Sequence, residues 1–402
     1  MKEWKTYTLN EVCKRIYSGG TPSTKHPEYW NGDIKWLSSG ETSQCFIYDT
    51  KRRITQAGVN NSSTKLAQIG STIIATAGQG YTRGQASFLM TDTYINQSII
   101  ACQANEDLIL PLYLYYNLDN RYEELRQLSD GTSTRGGLSG WILKRIKISL
   151  PPICVQNKII SVLKSLDKKI EENKKINDNL LQQLDTLFLE FSQKQQWPIT
   201  TIEEIAEKVA MGPFGSNIKV STFVDNGIPI ISGNHLKGYF LEEPNFNYIT
   251  EEHAAKLKNS LVHPKDIIFT HAGNIGQVAM IPNNSEYSTY IVSQRQFYLR
   301  CNARVLPEYV NLFFHSQRGR FELLSYANQT GVPSISQPAT NLKKIELPLP
   351  PIEEQIHWYS IIKPIIELHQ SNYHETKRLS DMRNILLPKL MSGELDVSGI
   401  DL

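Results

Sequence analysis

From Leu163 onward the chain places related residues at alternating third and fourth positions: Leu163, Leu166, Ile170, Asn173, Asn177, Leu180, Leu184, Leu187 and Phe191. Unbroken 3-4 spacing is the seam of a coiled coil, and the residues between are mostly Lys, Glu, Asp, Asn and Gln, as solvated flanks require. The two mid-seam asparagines weaken the seam but favour one register, because a slipped pairing leaves their amides unpaired. A continuous helix of about 40 residues extends roughly 60 Å, the length of a spacer between two bodies. Beside the seam, Ile176, Leu181 and Phe188 add apolar positions that suggest a further partner surface.

A degraded copy of this rod returns near the C-terminus as Ile362, Ile365, His369, Asn372, Thr376, Leu379, Arg383 and Leu386. Its ends are apolar, its middle is polar, and Asn372 falls where Asn173 falls. If the two helices lie antiparallel, polar middles face each other and apolar ends pair crosswise. Pro364 interrupts the copy. It removes a hydrogen bond and clashes one turn back, so a kink or a restart is expected there.

The copying extends beyond the helices. Leu150-Pro151-Pro152-Ile153 with Gln156 returns as Leu349-Pro350-Pro351-Ile352 with Gln355. Trp4, then Thr8-Leu9-Asn10-Glu11-Val12, returns as Trp197, then Thr201-Ile202-Glu203-Glu204-Ile205. Ile34-Lys35-Trp36-Leu37-Ser38 parallels Ile228-Pro229-Ile230-Ile231-Ser232. A period of roughly 195 residues is too long for a solenoid and means duplication of a whole domain with its helix.

Each copy follows one plan. A short amphipathic helix (9–16 and 202–209) leads into a Gly-rich loop (18–22 and 211–216) and then short strands rich in Ile, Val, Thr and Tyr. A late helix (111–128 and 307–326), a Gly/Ser/Thr loop (130–137 and 328–334) and a final strand (146–150 and 345–349) lead through Pro-Pro into the long helix. Proline suits a helix's first position because its missing N–H would be unpaired there anyway. The expected fold is α/β (mixed α+β): two similar globular domains separated by two long antiparallel coiled-coil helices, with a pseudo-two-fold internal repeat. The expected divisions are 1–150, 151–192, 193–349 and 350–402.

Composition bounds the function. A chain that is 40% hydrophobic and 20% charged is an ordinary soluble protein able to bury real cores. Its net charge of +2 carries no global basic signal, so any nucleic-acid surface must be local. The five cysteines, Cys13, Cys45, Cys102, Cys154 and Cys301, lack CxxC spacing and read as free thiols of a reducing cytosol. With no apolar leader and no run of about 18 apolar residues, the expectation is a cytoplasmic protein that does not cross a membrane.

No catalytic set stands out. Gly78-Gln79-Gly80 and Gly273-Asn274-Ile275-Gly276 form neither a Walker loop nor a GxGxxG fingerprint. The nine histidines show no paired metal spacing, and nothing matches Gly-x-Ser-x-Gly. Leu-Pro-Pro-Ile lacks the preceding Asn or Asp of an adenine methyltransferase motif.

The loops do carry nucleic-acid-type residues. The first copy offers Lys25, Lys51, Arg52, Arg53, Gln79, Tyr81, Arg83, Gln85, Thr134 and Arg135. The second offers Asn217, Lys219, Asn234, His235, Lys237, His271, Asn274, Gln294, Arg295, Gln329 and Ser334. Arg and Lys hold phosphates or guanine edges, and Asn and Gln bind adenine bidentately. Taken singly, any of them also makes an ordinary solvated surface. As a set on a fixed spacer, they favour a reader of two half-sites, which one helical turn separates by roughly 34 Å.

Two copies of a domain ending in Leu-Pro-Pro-Ile-x-x-Gln, each followed by a long helix, resemble the specificity subunit of type I restriction–modification systems. The Gly-rich loop after the opening helix and the ending Leu386-Leu387-Pro388-Lys389-Leu390-Met391-Ser392-Gly393-Glu394-Leu395-Asp396-Val397 support the resemblance. Departures are Cys154-Val155 where the second copy has Glu353-Glu354, and Pro364. The resemblance implies two target recognition domains, each reading one half of an asymmetric, gapped duplex DNA site. It implies spacer helices that set the gap and dock two methyltransferase subunits, which carry S-adenosylmethionine. Restriction subunits using ATP and Mg2+ would join them, and this chain would hold no catalytic residue, cofactor or metal. Two other classes remain open: a fused endonuclease or methyltransferase, and a coiled-coil scaffold without nucleic-acid binding.

Overall fold

The computed structural model describes residues 4–78, 80–130, 137–194, 196–243, 245–328 and 331–399, without the side chains of Asp130 and Ser216. The first copy runs β1 (Lys5–Thr8), α1 (Leu9–Val12), β2 (Cys13–Ser18), β3 (Trp30–Leu37), β4 (Phe46–Ile47), β5 (Arg52–Ile54), α2 (Gln56–Asn60), β6 (Lys65–Ala67), β7 (Thr72–Ala75), β8 (Ala86–Leu89), β9 (Thr93–Ile95), β10 (Ile99–Ala104), α3 (Pro111–Asp119), α4 (Tyr122–Asp130), α5 (Gly140–Arg145) and β11 (Lys147–Leu150), then the long α6 (Ile153–Gln193). The second runs β12 (Ile199–Thr201), α7 (Ile202–Ile205), β13 (Ala206–Met211), β14 (Ile228–Ile231), β15 (Asn247–Ile249), α8 (Glu251–Lys256), β16 (Leu261–Val262), β17 (Ile267–Thr270), β18 (Val278–Met280), β19 (Tyr290–Val292), β20 (Gln296–Cys301), α9 (Pro307–His315), α10 (Gln317–Leu324), β21 (Ala327–Asn328), β22 (Ser334–Ile335), α11 (Pro338–Lys344) and β23 (Glu346–Pro348), then α12 (Ile352–Ser392).

Strand pairing repeats with the sequence. The order β2-β10-β7-β8-β4 returns as β13-β20-β17-β18, β5-β3-β9-β6 returns as β15-β14-β19-β16, and β1-β11 returns as β12-β23. Even the parallel pair within the second sheet, β3 with β9, recurs as β14 with β19. The central strands are buried on both faces because side chains alternate along a strand. Ile74, Ile100 and Cys102 face α3, while Ile73, Ile99 and Ala101 meet Leu37 and Ile95 of the other sheet. Phe269, Phe297 and Leu299 likewise pack with α9, and Ile268 and Tyr298 pack with Ile231 and Val292.

Two expected elements are shorter than the sequence suggests. The opening helices last one turn, Leu9–Val12 and Ile202–Ile205, and then become edge strands, because Cys13 and Ala206 take extended backbone and pair with β10 and β20. The late helix is two helices in each copy, interrupted after Asp119 and after His315, where the Ser316 side chain caps α10 by accepting from Gly319 N.

Contacts gather the chain into two compact units, 1–170 with 378–402, and 171–377. Each holds a stretch of both long helices, packed antiparallel. In the first, Ile159 and Leu163 share a core with Leu387, Leu390 and Met391. In the second, Leu184, Phe188 and Phe191 share one with Trp358 and Ile362. The polar middle lies in the second unit: Asn372 Nδ2 donates to Asn177 Oδ1 (3.0 Å), Asn177 Nδ2 to His369 O (3.1 Å) and Asn173 Nδ2 to Glu375 Oε2 (2.7 Å).

The seam departs from strict heptads in α12. Leu386 and Leu379 are only half-buried, while Leu387 and Leu390 are buried. Phe188, expected on an outer face, is buried against Tyr309 and Trp358; Leu181 is half-buried, and only Ile176 of that trio is exposed. α12 is helical without a break through Pro364, whose side is exposed. Water can therefore take the Ser360 carbonyl that a proline leaves unpaired.

Candidate nucleic-acid interface

In the second domain the recognition candidates assemble at the end of β17. Thr270 closes the strand, and Gly273 and Gly276, with φ of +85° and +79°, turn the chain back in a conformation that favours glycine. His271 ties three loops together. Its N–H donates to Arg295 O (3.0 Å), its Nε2 lies 3.1 Å from Gln294 O, and its carbonyl accepts from Ile335 N (2.8 Å). Gly273 N donates to Pro333 O (3.0 Å), and Ala272 bridges Ser334. His271, Asn274, Gln294, Arg295 and Ser334 thus share one rim, with Asn274, Gln294 and Arg295 exposed.

Beneath the rim runs a part-buried amide–hydroxyl chain, with Thr270 and Gln296 buried at its centre, that sequence reading missed. Ser293 Oγ donates to Gln296 Oε1, Gln296 Nε2 donates to Thr270 Oγ1 (3.3 Å), and Thr270 Oγ1 donates to Gln277 Oε1 (3.3 Å). Only 26 residues separate Thr270 from Gln296, yet nothing in the spacing marks them as partners.

The Gly-rich loop joins the same end. Gly212 N donates to Gln296 O (2.8 Å), and a Cβ on Gly212 would lie 1.9 Å from Ser293 O. Backbone on both sides leaves no flexible group to yield. Gly212→Ala is therefore expected to destabilise this domain by about 2 kcal/mol through overpacking, measured by denaturant unfolding.

Other candidates of this domain are elsewhere. His235 is buried: Ser232 N donates to its Nδ1 (2.9 Å), so its Nε2–H donates to Asn245 O (3.0 Å), and burial holds its pKa below the usual histidine range. It is a turn-locking group, which corrects the expectation of a surface contact. Lys237 faces a cleft it shares with Lys174, Asn177, His369 and Tyr373. Asn217, Lys219 and Asn234 are exposed.

In the first domain, the loop after β7 carries Tyr81, which is 81% exposed. It is anchored by its backbone: Tyr122 OH donates to Tyr81 O (2.9 Å) and Arg126 donates to Gly80 O. Leu138 N donates to Thr76 O (3.1 Å), so the segment following α4 returns to the end of β7, as the β21–β22 hairpin does at β17. Arg83 and Gln85 are half-buried. Arg52 is an exposed residue whose guanidinium lies over Trp30 (3.8 Å) and Trp36 (5.2 Å). Arg53 is committed to its own loop through Asp49 (2.8 and 2.9 Å) and Thr50, which takes it out of the free recognition set. Lys25 and Lys51 are exposed. Gln79, Thr134, Arg135 and Gln329 lie outside the described residues. Among the described residues, no group of three His, Cys, Asp or Glu side chains gathers to hold a metal ion, and no helix is long and apolar enough to cross a membrane.

One two-sheet domain built twice, each copy running into one of two paired helices and crowned by polar loops, defines a class: the specificity proteins of type I restriction–modification. The chain belongs to this family; the type I restriction modification DNA specificity domain matches residues 1–182 and again 194–379. It is similar to the type I restriction enzyme MjaIX specificity subunit of Methanocaldococcus jannaschii, with 26% identity across 98% of this chain and 94% of that one. The EcoR124I/EcoR124II specificity subunit of Escherichia coli is 30% identical over 170 residues, 41% of each chain. The crystal structure of the type I S subunit from M. genitalium shares the fold, with a TM-score of 0.58 at 14% identity over 97% of this chain and 96% of that one.

Proposed function

We propose that this chain reads a bipartite, asymmetric duplex DNA sequence, one half-site per recognition domain, without catalysing a reaction itself. The observation that carries this reading is the tied rim of His271, Asn274, Gln294, Arg295 and Ser334. It offers bidentate amide and guanidinium groups on a rigid base, which is what base-edge readout requires. The rims of the two domains carry different side chains, so the half-sites differ.

In the same reading the paired helices space the half-sites and dock two methyltransferase subunits. S-adenosylmethionine belongs to those subunits, and ATP and Mg2+ to restriction subunits that join them in the cytoplasm. The test is binding by the chain assembled with the methyltransferase of its own system, alongside mapping of methylated adenines. The expected result is a single gapped motif bound at least 10³-fold more tightly than unrelated duplex at physiological salt. Equal affinity for all sequences, or methyl transfer and cleavage by the purified chain alone, would refute the proposal.

A further inference from the structure

The second recognition domain carries a basic groove that none of the candidate recognition residues accounts for, apart from Asn217 on its margin. It has a volume of about 760 Å³ and lies between the Gly-rich loop and the segment from α8 to β16. Lys208, Lys256 and Lys258 line it, Phe214 and Asn217 stand on its loop side, and among the described residues no acidic side chain lines it. Lys256 and Lys258 are exposed, and among the described residues none of the three lysines makes an ion pair.

The groove's walls are fixed. Ser260 Oγ donates to Met211 O (3.1 Å), Tyr298 OH donates to Asn259 O (3.1 Å), and His253 Nε2 lies 2.7 Å from Asn217 O. Lys208 rests over the Tyr298 ring at 5.9 Å, but among the described residues no carboxylate pairs with the three lysines, and the self-repulsion of such a cationic trough is relieved when an anion meets it. Its loop wall is the one that Gly212 presses against the Ser293–Gln296 turn, so the trough borders the rim that carries Gln294 and Arg295.

The first domain does not repeat the three lysines. There the Gly-rich loop closes down, since a Cβ on Gly20 would lie 2.1 Å from Ser63 Oγ. At the places of Lys256 and Lys258 stand Asn61 and Ser63, and only Lys208 has a charged counterpart, Arg15; each of these two lies over a tyrosine ring, Arg15 over Tyr17 at 4.7 Å and Lys208 over Tyr298 at 5.9 Å.

We infer that this groove is a phosphate track: it takes the sugar–phosphate backbone of duplex DNA beside the half-site read by the second domain. The inference rests on the proposed DNA-reading function and deepens it, because it separates residues that hold backbone from residues that read bases. Phosphate contacts raise affinity for every sequence and make it salt-dependent, while base contacts discriminate.

The experiment compares the wild-type assembly with methyltransferase subunits against K256Q/K258Q and K256R/K258R. Target and non-target duplexes are titrated across salt concentration. K256Q/K258Q is expected to lower affinity for both duplexes by the same factor and to flatten the slope of log K against log salt by about 1.8, since each phosphate contact contributes about 0.9. K256R/K258R is expected to keep the wild-type slope. If the wild type binds its target and K256Q/K258Q shows the same slope, the track is refuted while the DNA-reading function stands. A loss of subunit assembly with DNA binding per assembled complex unchanged also refutes it, and assigns the groove to an acidic protein segment instead. If the wild type itself shows no sequence preference, the failure lies in the function and not in the groove.

Discussion

Replacing Arg383 with methionine lowers the stability of the first unit by about 3–5 kcal/mol at neutral pH, the usual cost of removing one partner from a buried ionic network. Arg383 Nε donates to Asp167 Oδ1 and its NH2 group to Asp119 Oδ2, both at 2.7 Å, and Tyr116 OH donates to Asp167 Oδ2 at 2.7 Å. Asp167 is 5% exposed, so water cannot replace the guanidinium there. Burial already pushes the Asp119 carboxyl above its ordinary value of 3.8, and Arg383 pulls it back. Without the arginine, the folded-state value rises further. A carboxyl whose pKa is raised on folding favours the folded state below its unfolded value and disfavours it as pH climbs through the raised value. The deficit of R383M should therefore be largest near pH 7 and shrink as pH falls towards 4. Urea unfolding of wild type and variant at pH 7 and pH 5 measures both parts. A deficit under 1 kcal/mol, or one that grows on acidification, would contradict the account.

Arg383 also shows where sequence reasoning reached and where it stopped. The 3-4 pattern placed it on the inner face of α12, and the two long helices do pair antiparallel, with polar middles and apolar ends together. Its partners could not be read, because Asp119 ends a helix of the globular domain and Asp167 lies one residue off the expected seam. Phe188 escaped for the same reason: a heptad describes helix against helix, and Tyr309 of the recognition domain fills the flank that a heptad treats as solvent. The order of strands within the sheets was also hidden, since β7 pairs with both β8 and β10 and the sequence pattern says only that each is a strand. At the interface, periodicity has no purchase at all. His271 and Arg295 were visible as polar loop residues, but their closeness depends on two strands ending at one edge. The groove lysines sit at 208, 256 and 258, each unremarkable locally, and become a set only when β13 and the turn after α8 are folded side by side.

The motif that first betrayed the duplication has a physical cause that a pair of substitutions can expose. Gln156 and Gln355 are fully buried, and each does the same three things. Gln156 Oε1 accepts from Leu110 N (2.9 Å), while its Nε2 donates to Leu108 O and Pro151 O, both at 3.0 Å. Gln355 Oε1 accepts from Leu306 N (2.8 Å), and its Nε2 donates to Arg304 O (3.3 Å) and Pro350 O (2.7 Å). One amide thus joins the first turn of the long helix, the Pro-Pro segment that leads into it and the loop before α3 or α9. No other side chain of similar size carries one acceptor and two donors at that reach. Gln156→Leu and Gln355→Leu keep the volume but leave one buried and two part-buried hydrogen bonds unmade, at about 1–3 kcal/mol for a buried unsatisfied group and less for the others. Each substitution is expected to cost about 3 kcal/mol in urea unfolding, and because the two sites share no partner the losses should add. Gln→Glu is the sharper variant. It retains the acceptor for the leucine N–H yet turns a carboxylate oxygen toward two carbonyls, so at pH 7 it should cost more than leucine does. A glutamate variant as stable as wild type would mean that the helix joins its domain by apolar packing alone, and that the glutamine recurs in Leu-Pro-Pro-Ile-x-x-Gln for some reason other than this clamp.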